Sequence, residues 1–151
     1  MKNFIFALCL IASTTAWALE APVSSSDTLE DKVSTQEPFF QKISFERIVD
    51  GDTFVGSGKK IRLWGVNAPE KKDPNYLAAT WYLESLLKEG NLTCKFIEKD
   101  RYQRDVMHCL NGQSDVGSLL VQMGLAKDYA RYSGGYYQTE QAEAQAEQRG
   151  I

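Results

Sequence analysis

The sequence predicts an α+β fold, a small β-barrel carrying helices between and after its strands. Three observations predict it. Apolar residues alternate through several short segments from Ile43 onward, the two-residue period of half-buried strands. Later segments repeat at helical spacing and stop at glycines. The chain has 151 residues, 43% hydrophobic and 25% charged, which suits one small domain without internal repeats.

The N-terminus stands apart from that domain. Lys2, the apolar run Phe4 to Ala12 and Ala16-Trp17-Ala18 form the charged, apolar and small-residue regions of a signal peptide, so residues 1–18 are read as one, cleaved after Ala18. The apolar run is too short to span a membrane, and Cys9 lacks the small residues of a lipid-attachment site, so no membrane anchor is expected. Residues 19–37, rich in Ser, Thr, Asp and Glu, are read as a flexible linker. The folded domain is expected over residues 38–151.

Within it, Ile43, Phe45 and Val49 mark a first strand, and Asp50-Gly51-Asp52 a turn into Thr53-Phe54-Val55. A second turn at Gly56 to Lys59 leads to a strand over Lys60 to Val66, with Ile61, Leu63 and Gly65 on one side, ended by Pro69. Tyr76 to Lys88 reads as a helix through Leu77, Thr80 or Trp81, Leu83 or Glu84, and Leu87, stopped by Gly90. Leu92 to Ile97 and Asp105 to Leu110 pair around the segment Lys99 to Arg104. Asp115 caps a helix through Leu119, Leu120 and Met123, closed by Gly124, and Thr139 to Gln148 forms the last helix. Trp64 and Trp81 are read as packing residues and His108 as an ordinary strand residue.

Once the leader is removed, two cysteines remain, Cys94 and Cys109, on the paired strands. In an oxidising compartment they would join; otherwise they are two buried thiols, and with His108 they are too few for a zinc set. The net charge of −3 argues against generic nucleic-acid binding, which draws on Lys and Arg, but leaves room for a local basic rim. Tyr129, Tyr132, Tyr136 and Tyr137, interleaved with Lys127 and Arg131, have the composition of a surface that stacks bases and holds phosphates.

Three segments concentrate charge where strands turn. Asp50-Gly51-Asp52-Thr53 offers two carboxylates, hard oxygen ligands for Ca²⁺ or Mg²⁺. Arg62-Leu63-Trp64-Gly65-Val66-Asn67-Ala68-Pro69-Glu70 sets a cation on a strand and a carboxylate just past its end, and Asp100-Arg101-Tyr102-Gln103-Arg104 places a second arginine in the later turn. Each alone is an unremarked charged turn. In this order the three resemble the thermonuclease (staphylococcal-nuclease-like) family, with Gly124-Leu125-Ala126 and Arg149-Gly150-Ile151 matching further on.

The resemblance implies a five-stranded OB-type β-barrel with three helices, and a secreted or periplasmic nuclease that uses Ca²⁺ to hydrolyse DNA and RNA, leaving 5′-hydroxyl and 3′-phosphate ends. Arg62, Glu70 and Arg104 match the family's catalytic residues. Asp52 matches a direct calcium ligand, Ala68 a backbone carbonyl ligand, Asn67 a third ligand position, and Asp50 an outer acid. Asp100, Arg101 and Tyr132 fall on the substrate side, and a Cys94–Cys109 disulfide is similar to that of exported members. A monomer is expected. The chemistry is coherent: two guanidinium groups and a cation can neutralise a phosphate gaining negative charge, while Glu70 orients or deprotonates the attacking water.

The chain departs from the family pattern at three positions. Asn67 replaces an aspartate, keeping an oxygen ligand but losing its charge, which implies weaker calcium binding or a changed metal preference such as Mg²⁺ or Mn²⁺. Gln103 replaces a glycine, which strains the turn if that position needs positive φ. Ala130 replaces a substrate-side tyrosine. The competing expectation is a non-catalytic OB module that binds strands or a protein through a decayed metal site.

Overall fold

Alternation along one strand shows how the sheet is built. Over Asp105–Asn111, the side chains of Asp105, Met107 and Cys109 are buried while Val106, His108 and Leu110 are half-buried, so one face meets the core. The computed structural model describes residues 39–150; the expected signal peptide and the whole of the expected linker lie outside the described residues. In chain order the elements are β1 (Gln41–Lys42), β2 (Phe45–Asp50), β3 (Thr53–Gly56), β4 (Lys59–Leu63), β5 (Val66–Asn67), α1 (Tyr76–Lys88), β6 (Leu92–Lys99), β7 (Asp105–Asn111), β8 (Ser114–Asp115), α2 (Val116–Gln122), β9 (Lys127–Asp128), α3 (Ala130–Ser133) and α4 (Gln138–Ala146). The chain is therefore α+β.

The main sheet runs β1-β6-β7-β4-β3-β2, with β8 added on β7, and β5 and β9 form a separate pair. Only β4 and β7 are parallel. The path begins on β1 and ends on β2, segments separated by just Ile43 and Ser44, so the sheet curls until its two ends meet in one stretch of chain. Register shifts in β2 and β6 supply bends of the kind that curl a sheet.

Those shifts also correct the expected strand face. Past the first irregularity the alternation slips, and Ile48 packs with Phe45 against the core in the place expected of Val49. The strand expected over residues 60–66 breaks at Trp64-Gly65. Gly65 adopts φ +72, and a Cβ there would lie 3.0 Å from both Ser133 and Tyr137 side-chain atoms, so only glycine fits. The chain then leaves the main sheet as β5 and pairs Asn67 with Lys127 of β9.

The core is filled by Phe54, Ile61, Leu63 and Met107 of the sheet, Leu83 and Leu87 of α1, Val116, Leu120 and Val121 of α2, and Tyr137. Helix α1 buries Ala79, Thr80, Leu83, Leu86 and Leu87. That stripe keeps the expected Thr80, Leu83 and Leu87 but takes Ala79 and Leu86 where Leu77 was expected, and Trp81 is left 63% exposed, outside the core. Asp115 caps α2 as expected, accepting the Ser118 N–H at 3.1 Å. A fourth helix, α3, was not expected because a single turn shows no 3.6-residue period, and the two-residue strands β1, β5, β8 and β9 are likewise too short to alternate.

Cys94 and Cys109 are register partners on β6 and β7 and are joined by a disulfide across a sequence separation of 15, worth about 3 kcal/mol in the chain-entropy account. Among the described residues no helix is long and apolar enough to cross a membrane.

Candidate active site

The β2–β3 turn carries the first carboxylates. A Cβ on Gly51 would lie 2.8 Å from Ala68 Cβ and 2.9 Å from Ala79 Cβ, so this glycine is needed for close approach to α1 and to the segment after β5. That approach brings the Ala68 N–H to Asp52 Oδ2 at 3.0 Å. The same oxygen lies 3.0 Å from Arg62 Nη2, and Asp52 Oδ1 accepts the Thr53 hydroxyl at 3.0 Å. Asp50 turns inward enough for its Oδ1 to accept the Asp52 N–H at 3.2 Å.

Asp52 is 8% exposed. Burial pushes its carboxyl up to about 6, against the lowering by the Arg62 guanidinium and the Ala68 N–H, while the charge of Asp50 adds to the rise. Burial thus outweighs Arg62 and the Ala68 N–H in setting its proton affinity.

Arg62 stands opposite Thr53 in the β3–β4 ladder, which fixes the guanidinium beside the turn; its Nη1 donates to the Leu63 carbonyl at 2.9 Å. Arg104 arrives from the β6–β7 turn. Asp100 accepts from Arg104 Nε at 2.6 Å and from the N–H groups of Tyr102 and Arg104 at 2.8 and 3.0 Å, clamping the whole loop. Burial would raise the Asp100 carboxyl, but these hydrogen bonds hold it below the usual carboxylate range. Arg104 Nη1 reaches Thr53 Oγ1 at 3.4 Å. Two guanidinium groups from distant segments therefore converge on the Asp52–Thr53 pair. Gln103, within the clamped turn, does adopt φ +62, yet Arg104 keeps its place.

The remaining expected residues are arranged differently. Arg101 Nη2 donates to the Tyr102 hydroxyl at 2.7 Å, and Tyr102, which the sequence did not single out, lies beneath both the Arg101 and Arg104 guanidinium groups. Glu70 is exposed in the loop before α1; its backbone exchanges hydrogen bonds with Asp73, N–H to Oδ2 at 2.7 Å and C=O from the Asp73 N–H at 2.7 Å. Asn67 is exposed on β5. No side-chain hydrogen bond joins Glu70 or Asn67 to Asp52, Arg62 or Arg104 among the described residues. Tyr132 stacks edge-on against Tyr129 with ring centroids 4.8 Å apart, apart from this network. Thr53 was missed as a bridging residue; its place beside two acids at a turn was the available signal. Tyr137, expected in the base-stacking surface, is instead buried.

Among the described residues no three His, Cys, Asp or Glu side chains gather to hold a metal. Even so, the donors present are all hard oxygens, and a buried carboxylate whose proton affinity is raised has capacity for a cation; this chemistry suits a hard divalent ion more than zinc. The two guanidinium groups in turn suit a tetrahedral oxyanion, which each can bind in bidentate fashion.

Residues 60–151 match the protein family described as "Staphylococcal nuclease homologue". The chain is similar to the succinoglycan biosynthesis protein ExoI of Rhizobium meliloti (strain 1021), 29% identical over 69% of this chain and 61% of that protein. It is also similar to uncharacterized endonucleases of Escherichia coli O157:H7, 31% identical over 70% of this chain and 72% of that protein, and of Haemophilus influenzae, 31% identical over 70% and 62%. The chain thus spans less than two thirds of the length of two of these relatives.

Proposed function

The chain belongs to the staphylococcal nuclease homologue family, and on that premise we propose that it is an exported, Ca²⁺-dependent nuclease that hydrolyses phosphodiester bonds in DNA and RNA. One observation carries the reading: Arg62 and Arg104 meet at the Asp52–Thr53 pair, where together they can grip one phosphate. In that role they hold the equatorial oxygens and offset the negative charge that builds as water attacks phosphorus. Glu70 orients the water and takes its proton; its exposed position leaves the carboxylate free to turn toward a bound phosphate. Asp52, Asn67, the Ala68 carbonyl and, further out, Asp50 hold Ca²⁺, which when bound adds positive charge beside the phosphate. Asp100 holds Arg104, while Arg101 and Tyr132 face the rest of the strand. The products carry 5′-hydroxyl and 3′-phosphate ends.

The fold reading follows the same line. Counting β1 and β2 as one strand shared by both ends of the sheet gives five strands, an OB-type barrel, with α1, α2 and α4 as its three main helices. Residues 1–18 direct export, 19–37 form a tether and 38–151 the nuclease domain, which acts as a monomer; the disulfide suits an oxidising destination.

A non-catalytic strand-binding module is the second reading, favoured by Asn67 and by the absence of a contact between Glu70 and the arginines. Cleavage of single-stranded DNA in Ca²⁺ or in chelator, with wild type, Arg62→Ala and Glu70→Gln, separates the two. Calcium-dependent cleavage lost in both variants supports the nuclease; strand binding without cleavage by the wild type selects the module.

A further inference from the structure

Beside the clamped Asp100–Arg104 turn the surface opens into a groove of about 570 Å³ that no role above uses. Lys59, Lys60, Lys99, Phe96, Gln103 and Asp105 line it. Asp105 is buried and takes both Lys99, by a short hydrogen bond, and Lys59, at 3.7 Å. Lys60 has no ion-pair partner among the described residues. Three ammonium groups and one carboxylate thus line the groove, with Glu46 Oε1 accepting the Gly58 N–H at 2.6 Å on its edge, so the lining stays net positive in a chain whose net charge is −3. Phe96 adds a ring left 47% exposed among these charges, an apolar face that a base could cover.

The opposite sign occurs elsewhere. A hollow of about 440 Å³ is lined by Asp115, Glu140 and Glu143, which repel phosphates. Lys99 adjoins Asp100, and Gln103 belongs to both the groove and the Arg104 turn, so the groove continues directly from the site.

We propose that this groove carries the single strand away from the scissile phosphate, with Lys59, Lys60 and Lys99 on successive backbone phosphates and Phe96 stacked on a base. The proposal rests on the nuclease reading, and it makes affinity depend on strand length. A chain too short to reach the groove gains nothing from it.

The test uses Lys60→Ala and Phe96→Ala in the full chain. Both side chains are exposed, and thermal melts of both variants confirm the fold before binding is read. Binding of a fluorescein-labelled single-stranded DNA of about 16 nucleotides, followed by anisotropy in chelator, weakens about tenfold for Phe96→Ala. For Lys60→Ala the slope of log affinity against log salt falls by about 0.7. In calcium, KM for that strand rises while kcat, and all parameters for a dinucleotide substrate, stay unchanged. Unaltered affinity and salt slope in both variants overturn the groove. If the wild type fails to cleave yet the variants lose affinity, the groove stands and the nuclease reading falls. A wild type that binds no strand overturns both.

Discussion

Two carboxylates anchor polar networks in this fold, Asp52 buried and Asp115 half-buried, and they differ in what their partners have left to give. Asp52 is surrounded by cations and N–H donors: Arg62, the Ala68 amide, and Arg104 through Thr53. Asp115 accepts from Ser118 N–H at 3.1 Å and from the Tyr137 hydroxyl at 3.2 Å, and lies 2.6 Å from His108 Nε2. Phe40, Trp64 and Tyr136 wall in that histidine. The groups around Asp115 fasten β7, the start of α2 and the residue before α4 together. Around Asp52 the guanidinium groups retain N–H donors, and burial disfavours the carboxylate charge unless a cation stands beside it. A buried acid therefore says little about function until the spare capacity of its neighbours is counted.

If that contrast holds, mutations at the two networks produce opposite signatures. The largest expected effect is Arg104→Ala, which removes one of the two proposed phosphate donors and lowers kcat about 10²–10³-fold, while melting changes little. A loss of cleavage matched by an equal loss of stability would make Arg104 a fastener like the Asp115 partners.

The second effect is the pH response of the metal-free protein. The folded carboxyl of Asp52 sits near 6 against an ordinary 3.8, so the folded state binds its proton more tightly than the unfolded state does. Its contribution to stability is complete below about pH 4 and is lost as pH rises through 6, roughly 3 kcal/mol in all. Denaturant melts in chelator across that range measure it, and Asp52→Asn flattens the slope. An identical slope in the variant assigns the effect elsewhere. At the other network, burial and then the Asp115 carboxylate push the Tyr137 hydroxyl upward, so it stays neutral throughout.

Tyr137→Phe is the matching probe of the fastened network. It removes one buried hydrogen bond and costs about 1–2 kcal/mol of stability, with kcat unchanged. A fall in cleavage with intact melting would contradict the division between the networks.

The sequence disclosed the first network far better than the second, for a physical reason. Asp50 and Asp52 share one turn and Asp100 and Arg104 another, so local spacing shows each pair; the family resemblance grouped both with Arg62 of β4, and Cys94 and Cys109 straddle a single hairpin. By contrast Tyr137, just before α4, reaches His108 and Asp115 of the β7–β8 hairpin only through long-range packing, and nothing local distinguishes it from the exposed Tyr132 and Tyr136. Gly51 looked like turn chemistry but serves the approach of α1, a long-range fact. Trp81 faces water because the buried stripe of α1 is set by Ala79 closing on that glycine, which the helical period alone does not specify.

The smallest effect probes how the arginine turn is held. Gln103 sits at φ +62, where a side chain costs about 1 kcal/mol relative to glycine. The turn tolerates this because Asp100 accepts three hydrogen bonds across it, two of them from Arg104. Gln103→Gly should relieve the strain and, after the entropy that glycine adds to the unfolded chain, raise stability by about 0.5 kcal/mol. Because Asp100 and not residue 103 fixes the guanidinium, cleavage should stay within about twofold of wild type, given that Arg104 keeps its phosphate contact. A more stable variant with sharply reduced cleavage would mean that the strained residue itself aims Arg104. The turn would then resemble the Asp115 network, where position depends on every member.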